Sequence, residues 1–273
     1  MTGKKGYMSM DVYRKALEEL APYLYEIWLF NWGESFLHKQ IFEMVREASD
    51  KNVSTTISTN LNFFPEGYED SLVDSRLERL VVSFDGTTQE NYEKYRKGGD
   101  LQKVLTAVDR IQQAKRSRRS ELPFVKLQFL ANRFNENEIE KAHRVAAELR
   151  VELEIKPLMF DATSTATREK WEPRNPQFSR YRSDGSDRKG TLNSCSWLWK
   201  YAVIDWRGIV TPCCHWIEKG HFDFGDLRKN AFREIWNNEY FVSARKALIN
   251  EKVSPATSCH ICRGNPPEMR DPE

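Results

Sequence analysis

The chain has 273 residues, 40% hydrophobic and 12% aromatic, enough to bury one large core or two ordinary ones. Its 42 basic and 40 acidic residues leave a formal charge of +2, which excludes whole-protein attraction to nucleic acid or to an anionic membrane. No apolar run approaches the roughly 20 residues that span a bilayer, and MTGKKGYMSMD has no apolar stretch behind its lysines, so a cytoplasmic protein is expected.

Up to residue 158 helix and strand signals alternate. Ser9 caps a predicted helix through VYRKALEELAPY, with Val12, Ala16, Leu17 and Leu20 on one face. YEIWLFN (Tyr25–Asn31) reads as a buried strand, HKQIFEMVREASDK as a helix, and VSTTISTN (Val53–Asn60) as a β-branched strand. A short helix near Tyr68–Ser75 leads to RLVVSFD (Arg79–Asp85). Helical TQENYEKYR and LQKVLTAVDRIQQAKR follow, then strand FVKLQFLAN (Phe124–Asn132), helix ENEIEKAHRVAAELR and strand VELEIKPL (Val151–Leu158). Alternation of this kind implies right-handed βαβ units and a parallel sheet, either open and doubly wound or a partial barrel. In both, ligands bind at the carboxyl ends of the strands. The first strand expected of a barrel, ahead of the opening helix, is unaccounted for.

From Met159 to Ser194 the periodicity stops. This stretch is read as a linker or an active-site loop anchored by Trp171, Phe178 and Tyr181. Beyond it, WLWKYAVID and GIVTPCC flank a hairpin turn, Asp205-Trp206-Arg207-Gly208, and FREIWNNEYFVSARKALINE reads as one helix. The domain expectation is therefore 1–158, a loop at 159–194, and a small α+β extension at 195–273. The basic run KRSRRS (Lys115–Ser120) ends a predicted helix, where cations are favoured by the helix dipole, so it is read as a solvated helix end.

All five cysteines lie in the last third: Cys195, Cys213, Cys214, Cys259 and Cys262. In a reducing compartment such clustering points to a metal centre sooner than to disulfides. Cys195, Cys213, Cys259 and Cys262 make a four-thiolate set suited to a [4Fe–4S] cluster or, as the alternative, to structural zinc. Cys214 could stand in for Cys213, whose side chain faces the opposite way along a strand. His215 and His260 are read as neighbours of ligands.

WLFNWGES, TTISTN, VVSFDG and NYEKYRKGG follow in order at the predicted strand ends, and FGDL and EIWN sit between the C-terminal cysteines. The whole pattern resembles the radical S-adenosylmethionine superfamily with a C-terminal twitch or SPASM extension. That resemblance implies a partial (β/α) barrel with its first strand missing, followed by an α+β extension that holds one auxiliary [4Fe–4S] cluster. It implies that Gly33 and Glu34 meet the amino group of S-adenosylmethionine, and that Ser58 and Asn60 face the same pocket. Ser83 and Asp85 would reach ribose hydroxyls, Arg96 the ligand carboxylate, and Gln128 the adenine or a substrate, with Lys156 also facing substrate. Intact relatives would generate a 5′-deoxyadenosyl radical and modify a small, sugar-like or peptide substrate, with an electron-donor protein as partner.

Two departures qualify the resemblance. Ser35 stands where the family's glycine-glutamate-proline motif has proline. No C-x-x-x-C-x-x-C run occurs in the chain, and two clusters of this design need more cysteines than the five present. The expectation is a truncated or cluster-deficient relative, unable on its own to cleave S-adenosylmethionine, with self-association through the exposed barrel edge. The alternative is a non-catalytic protein that binds S-adenosylmethionine or a partner and carries a zinc site of four cysteines.

Overall fold

The computed structural model describes residues 6–160, 164–182, 195–214, 223–248, 255 and 257–261. Ser9 caps helix α1 (Met10–Leu20) as its spacing predicts, accepting a hydrogen bond from the Val12 amide at 3.4 Å. The chain forms two compact units, Tyr23–Arg180 on one hand and Met1–Pro22 with Tyr181–Glu273 on the other. Helix α1 thus groups with the C-terminal residues, although chain order alone places it beside the first strands.

The Tyr23–Arg180 unit is built on five parallel strands: β1 (Glu26–Trp28), β2 (Ser54–Thr59), β3 (Arg79–Ser83), β4 (Phe124–Ala131) and β5 (Glu152–Pro157). Their order in the sheet is their order in the chain. Each crossover between parallel neighbours is right-handed by preference, so a sheet without a reversal of order carries its helices on one face. A doubly wound sheet needs a reversal point and this one has none, which resolves the two expected architectures in favour of the partial barrel.

The connecting helices are α2 (Ile41–Asp50), α3 (Tyr68–Asp74), α4 (Gln89–Tyr95), α5 (Leu101–Arg118) and α6 (Ile139–Leu149). Helix α2 packs on β2, α6 on β5, and α3 on α5. The residues they cover are one parity of the strands: Ile57, Leu80, Val82, Val125, Leu127 and Phe129 are all buried. The register places the opposite parity together on the other face, where Arg79 neighbours Thr56, Ser83 neighbours Gln128, and Lys126 neighbours Glu152. That face is a charge lattice. Glu26 accepts from the Thr56 hydroxyl and pairs with Arg79 at 2.8 Å, and Lys126 pairs with Glu152 at 3.2 Å.

A further helix, α7 (Thr165–Trp171), lies inside the stretch read as aperiodic. Its Ser/Thr-rich start hides the helical period. Ser164 caps it, and Trp171 packs edge-on against Tyr95 and Phe134.

In the other unit, α8 (Trp197–Lys200) precedes a three-stranded antiparallel sheet of β6 (Val203–Ile204), β7 (Ile209–Thr211) and β8 (Gly225–Asp226). Asp205 makes the predicted turn by accepting from the amides of Arg207 and Ile209 at 2.8 and 3.1 Å. Gly225 of FGDL is required by contact, because a Cβ there would sit 2.7 Å from the Ile235 side chain. The single helix expected after it is two, α9 (Phe232–Trp236) and α10 (Glu239–Ala247). Asn238 breaks it: its side chain caps α10 through the amides of Tyr240 and Phe241 and donates back to the Phe224 carbonyl. Helix α11 (Ser258–Ile261) ends the described chain. Glu19 of α1 accepts from the Phe232 amide at the start of α9. Among the described residues no helix is long and apolar enough to cross a membrane.

The face assignment has a direct check. Leu127→Ala should lower stability by about 2–5 kcal/mol, the usual range for a fully buried leucine. Gln128→Ala, one residue on, should lower it by less than about 1 kcal/mol. Urea denaturation followed by circular dichroism measures both, and equal losses would mean that the helices cover the wrong parity.

Candidate functional site

The carboxyl ends of the strands gather most of the residues singled out from the sequence. Gly33 follows β1 with φ of 111°, a conformation that a side chain would strain. Its neighbour Glu34 turns inward across the strand ends. One carboxylate oxygen accepts from the Thr59 hydroxyl at 2.7 Å and the Phe36 amide at 3.3 Å, and the other from the Asn60 amide at 2.9 Å. A carboxylate offers about four acceptor positions, so one remains for a ligand. Ser35, where the resemblance expects proline, donates its hydroxyl to the Leu29 carbonyl at 2.7 Å. This bond stiffens the loop by tethering it where proline would restrict φ.

Ser58 is half-buried on the polar face of β2. The Asn60 side chain is occupied locally, its oxygen accepting from the Asn62 amide at 2.8 Å. Ser83 is nearly buried opposite Gln128.

Asp85 corrects the sequence reading. Its carboxylate is fully buried, with one oxygen accepting from Arg96 Nε at 2.5 Å and the other from the Leu130 amide at 2.7 Å. Burial pushes its pKa up, opposed by the Arg96 charge and these two hydrogen bonds. A carboxylate so enclosed has no surface to offer a ribose. It acts on Arg96, fixing the guanidinium over the Tyr95 ring at 5.0 Å, with no hydrogen bond from the two terminal nitrogens among the described residues. Arg96 is thereby set as a fork for a planar anion, the geometry that a carboxylate ligand needs.

Gln128 and Lys156 lie on the polar face as the register requires. Lys156 Nζ donates to the Gln128 oxygen at 3.1 Å and pairs with Glu154 at 3.0 Å. Both side chains are therefore linked to each other, with Lys156 half exposed.

Sequence reasoning missed the residues that hold these in place. Asn62 bridges the loop to two neighbours, donating to the Tyr92 hydroxyl at 3.1 Å and accepting from the Asp100 amide at 2.6 Å. Asn135 donates to the Asp85 carbonyl at 3.0 Å, and Glu138 accepts from the Thr87 amide and the Asn91 side chain ahead of and within α4. The asparagines clustered just past β2 and β4 were the available signal.

In the C-terminal unit Cys195 precedes α8, Cys213 follows β7, and Cys259 lies in α11. Cys259 is part of a buried core with Leu198, Phe224, Ile235 and Phe241, and Cys195 packs against the same core. The Cys213 carbonyl accepts from Thr211 at 3.2 Å. Burial pushes the Cys214 thiol up. Cys262 and His215 lie outside the described residues, as does the His260 side chain. Among the described residues no three metal-ligating side chains come together. The donor set itself, four soft thiolates with two on one core, fits iron–sulfur or zinc chemistry.

Residues 195–263 match the SPASM family, an iron–sulfur cluster-binding domain. The AdoMet-dependent heme synthase of Methanosarcina barkeri is 23% identical over 145 residues, which are 53% of this chain and 40% of that protein. The chain thus spans about two-fifths of the length of this curated relative. Among solved structures, Streptococcus suis SuiB bound to precursor peptide SuiA superposes with a TM-score of 0.63 at 10% identity, covering 97% of this chain and 64% of SuiB. BtrN in complex with AdoMet and 2-DOIA superposes with a TM-score of 0.50 at 17% identity, covering 90% of this chain and 76% of BtrN. At these identities the superpositions establish the fold. The parallel sheet in sequential order agrees with these superpositions on the fold, and residues 195–263 match the iron–sulfur cluster-binding SPASM family.

Proposed function

We propose that the chain binds S-adenosylmethionine at the carboxyl ends of β1–β4 and an auxiliary [4Fe–4S] cluster through Cys195, Cys213, Cys259 and Cys262. The observation that carries the first part is the Asp85–Arg96 pair, which presents a guanidinium edge at the same strand ends as Glu34's remaining acceptor site. Arg96 takes the methionyl carboxylate. The Gly33 carbonyl and Glu34 take the amino group. Ser58 and Ser83 line the nucleoside side, and Gln128, held by Lys156, contacts adenine or substrate.

When bound, the auxiliary cluster supplies a soft Lewis-acid or electron-accepting centre for a substrate. The chain's own residues do the binding and the orienting. The polar face of Lys126, Glu154 and Lys156 suits a polar substrate, small and sugar-like or a peptide, in a cytosolic modifying enzyme. An electron-donor protein and self-association along the β1 edge belong to the same reading. Reductive cleavage of S-adenosylmethionine needs a three-cysteine cluster that these 273 residues do not contain, so this chain alone binds the cofactor without cleaving it.

Anaerobic incubation with iron and sulfide should give a brown protein, and serine at any of Cys195, Cys213, Cys259 or Cys262 should abolish the colour while Cys214→Ser keeps it. One zinc per chain and no iron on metal analysis would replace the cluster with a structural zinc.

Calorimetric titration should show S-adenosylmethionine binding that Arg96→Ala weakens about tenfold or more, the loss expected for one charge-assisted contact. Asp85→Asn should weaken it too, acting through Arg96. Any 5′-deoxyadenosine formed by the isolated chain would overturn the cysteine count as the limit on activity.

A further inference from the structure

At the amino end of β4, away from the strand ends just described, α5 and α6 finish beside one another around a cleft of about 460 Å³. Gln112, Lys115, Arg116 and Arg119 recur at helical spacing along the end of α5, so they share one face. Gln112 donates to the carbonyls of Leu149 and Arg150 at 3.0 and 2.7 Å, which pins the end of α6 and brings Arg150 to the same cleft. Arg119 and Arg150 both close their helices in the left-handed conformation, φ 52° and 56°, where glycine or asparagine is at less strain. Each helix therefore ends on a strained arginine, and both arginines line the cleft.

The helix dipole explains a cation at either end, but it does not explain their isolation from carboxylates. Arg118, in the same run, pairs with Asp70 and Asp74 at 2.6 and 2.9 Å. Arg116, Arg119 and Arg150 pair with no carboxylate among the described residues. Lys115 donates to the Pro123 carbonyl at 2.8 Å, and burial pulls its pKa down. Glu121 is the one acidic residue in the lining. Phe124, 54% exposed at the first position of β4, adds a bare aromatic ring to the wall.

We propose that this cleft binds a nucleoside polyphosphate, with its phosphates on Lys115, Arg116, Arg119 and Arg150 and its base against Phe124. Four cations lining one shallow cleft match several negative charges held close together, as on a polyphosphate chain. A nucleic acid would call for a basic stripe tracking its backbone. The exposed ring gives a planar base a stacking partner. The volume lies within the roughly 300–1,000 Å³ usual for small-molecule sites. S-adenosylmethionine carries no phosphate, so this site is separate from the one proposed above and does not depend on it.

Calorimetric titration of the whole chain with ATP, tripolyphosphate and adenosine near physiological salt tests this. ATP should bind once per chain and more tightly than tripolyphosphate. Arg116→Gln and Arg150→Gln should each weaken both ligands about tenfold. Phe124→Ala should weaken ATP and leave tripolyphosphate unchanged. Arg118→Gln, on the same helix but outside the cleft, should change neither. The proposal is overturned if ATP shows no saturable binding, or if Arg150→Gln leaves it unchanged. An indifferent Phe124→Ala would also overturn it, reducing the site to a simple anion cleft. So would a single-stranded oligonucleotide that binds more tightly than ATP and loses that binding in the same arginine variants.

Discussion

The handedness of the crossovers organises the Tyr23–Arg180 unit. Five parallel strands in sequential order, each returning by a right-handed helix, leave one face covered by helices and the other bare of them. Because side chains alternate along a strand, the sequence must supply apolar residues at one parity and polar ones at the other. Leu127 and Gln128, or Val82 and Ser83, are adjacent in the chain and opposite in environment. The same constraint sends every strand's carboxyl end to one rim, so loops distant in the chain meet there. Glu34 reaching Thr59 and Asn60, and Asp85 reaching Leu130, are consequences of that convergence.

Within the rim, Asp85 is the residue on which the site's electrostatics turn. A fully buried carboxylate is unfavourable unless its charge is matched and its lone pairs are filled. Arg96 and the Leu130 amide meet both needs, and Asn135 holds the Asp85 backbone through its carbonyl. Burial still pushes the carboxyl upward against the Arg96 charge and these hydrogen bonds. Pairs of this kind add little net stability compared with apolar packing, but removing one partner is costly. What Asp85 gains for the protein is orientation: a guanidinium anchored through Nε over the Tyr95 ring.

The fold was largely legible because β-branched runs and amphipathic helices carry their own period. The five strands stand where VSTTIST, RLVVS and their counterparts place them. What escaped had no period to read. Helix α7 begins in Ser/Thr-rich sequence, and β8 is two residues long. The break between α9 and α10 depends on Asn238 finding the Phe224 carbonyl, a tertiary bond invisible in a helical pattern. At the site, Glu34 and Arg96 could be singled out because each sits in a motif beside a strand end. The role of Asp85 was misread because chain order says that a carboxylate is near a ligand site, whereas only the packed structure says which way it faces. Its partners are 11 and 45 residues away.

Charge is arranged differently on the polar face of the sheet and in the cleft beside the start of β4. Along the polar face, opposite signs alternate and neutralise one another, as in Glu26 with Arg79 and Lys126 with Glu152. A lattice of that kind presents a polar surface with little net field, suited to orienting a substrate by hydrogen bonds. At the amino end of β4 the pattern is reversed: Lys115, Arg116, Arg119 and Arg150 line one cleft with Glu121 as its one carboxylate. Like charges held near each other raise the energy of the empty site, and an arriving polyanion removes that repulsion as well as adding its own attraction. A balanced chain that gathers cations in one cleft has therefore built a local field that its total charge of +2 conceals.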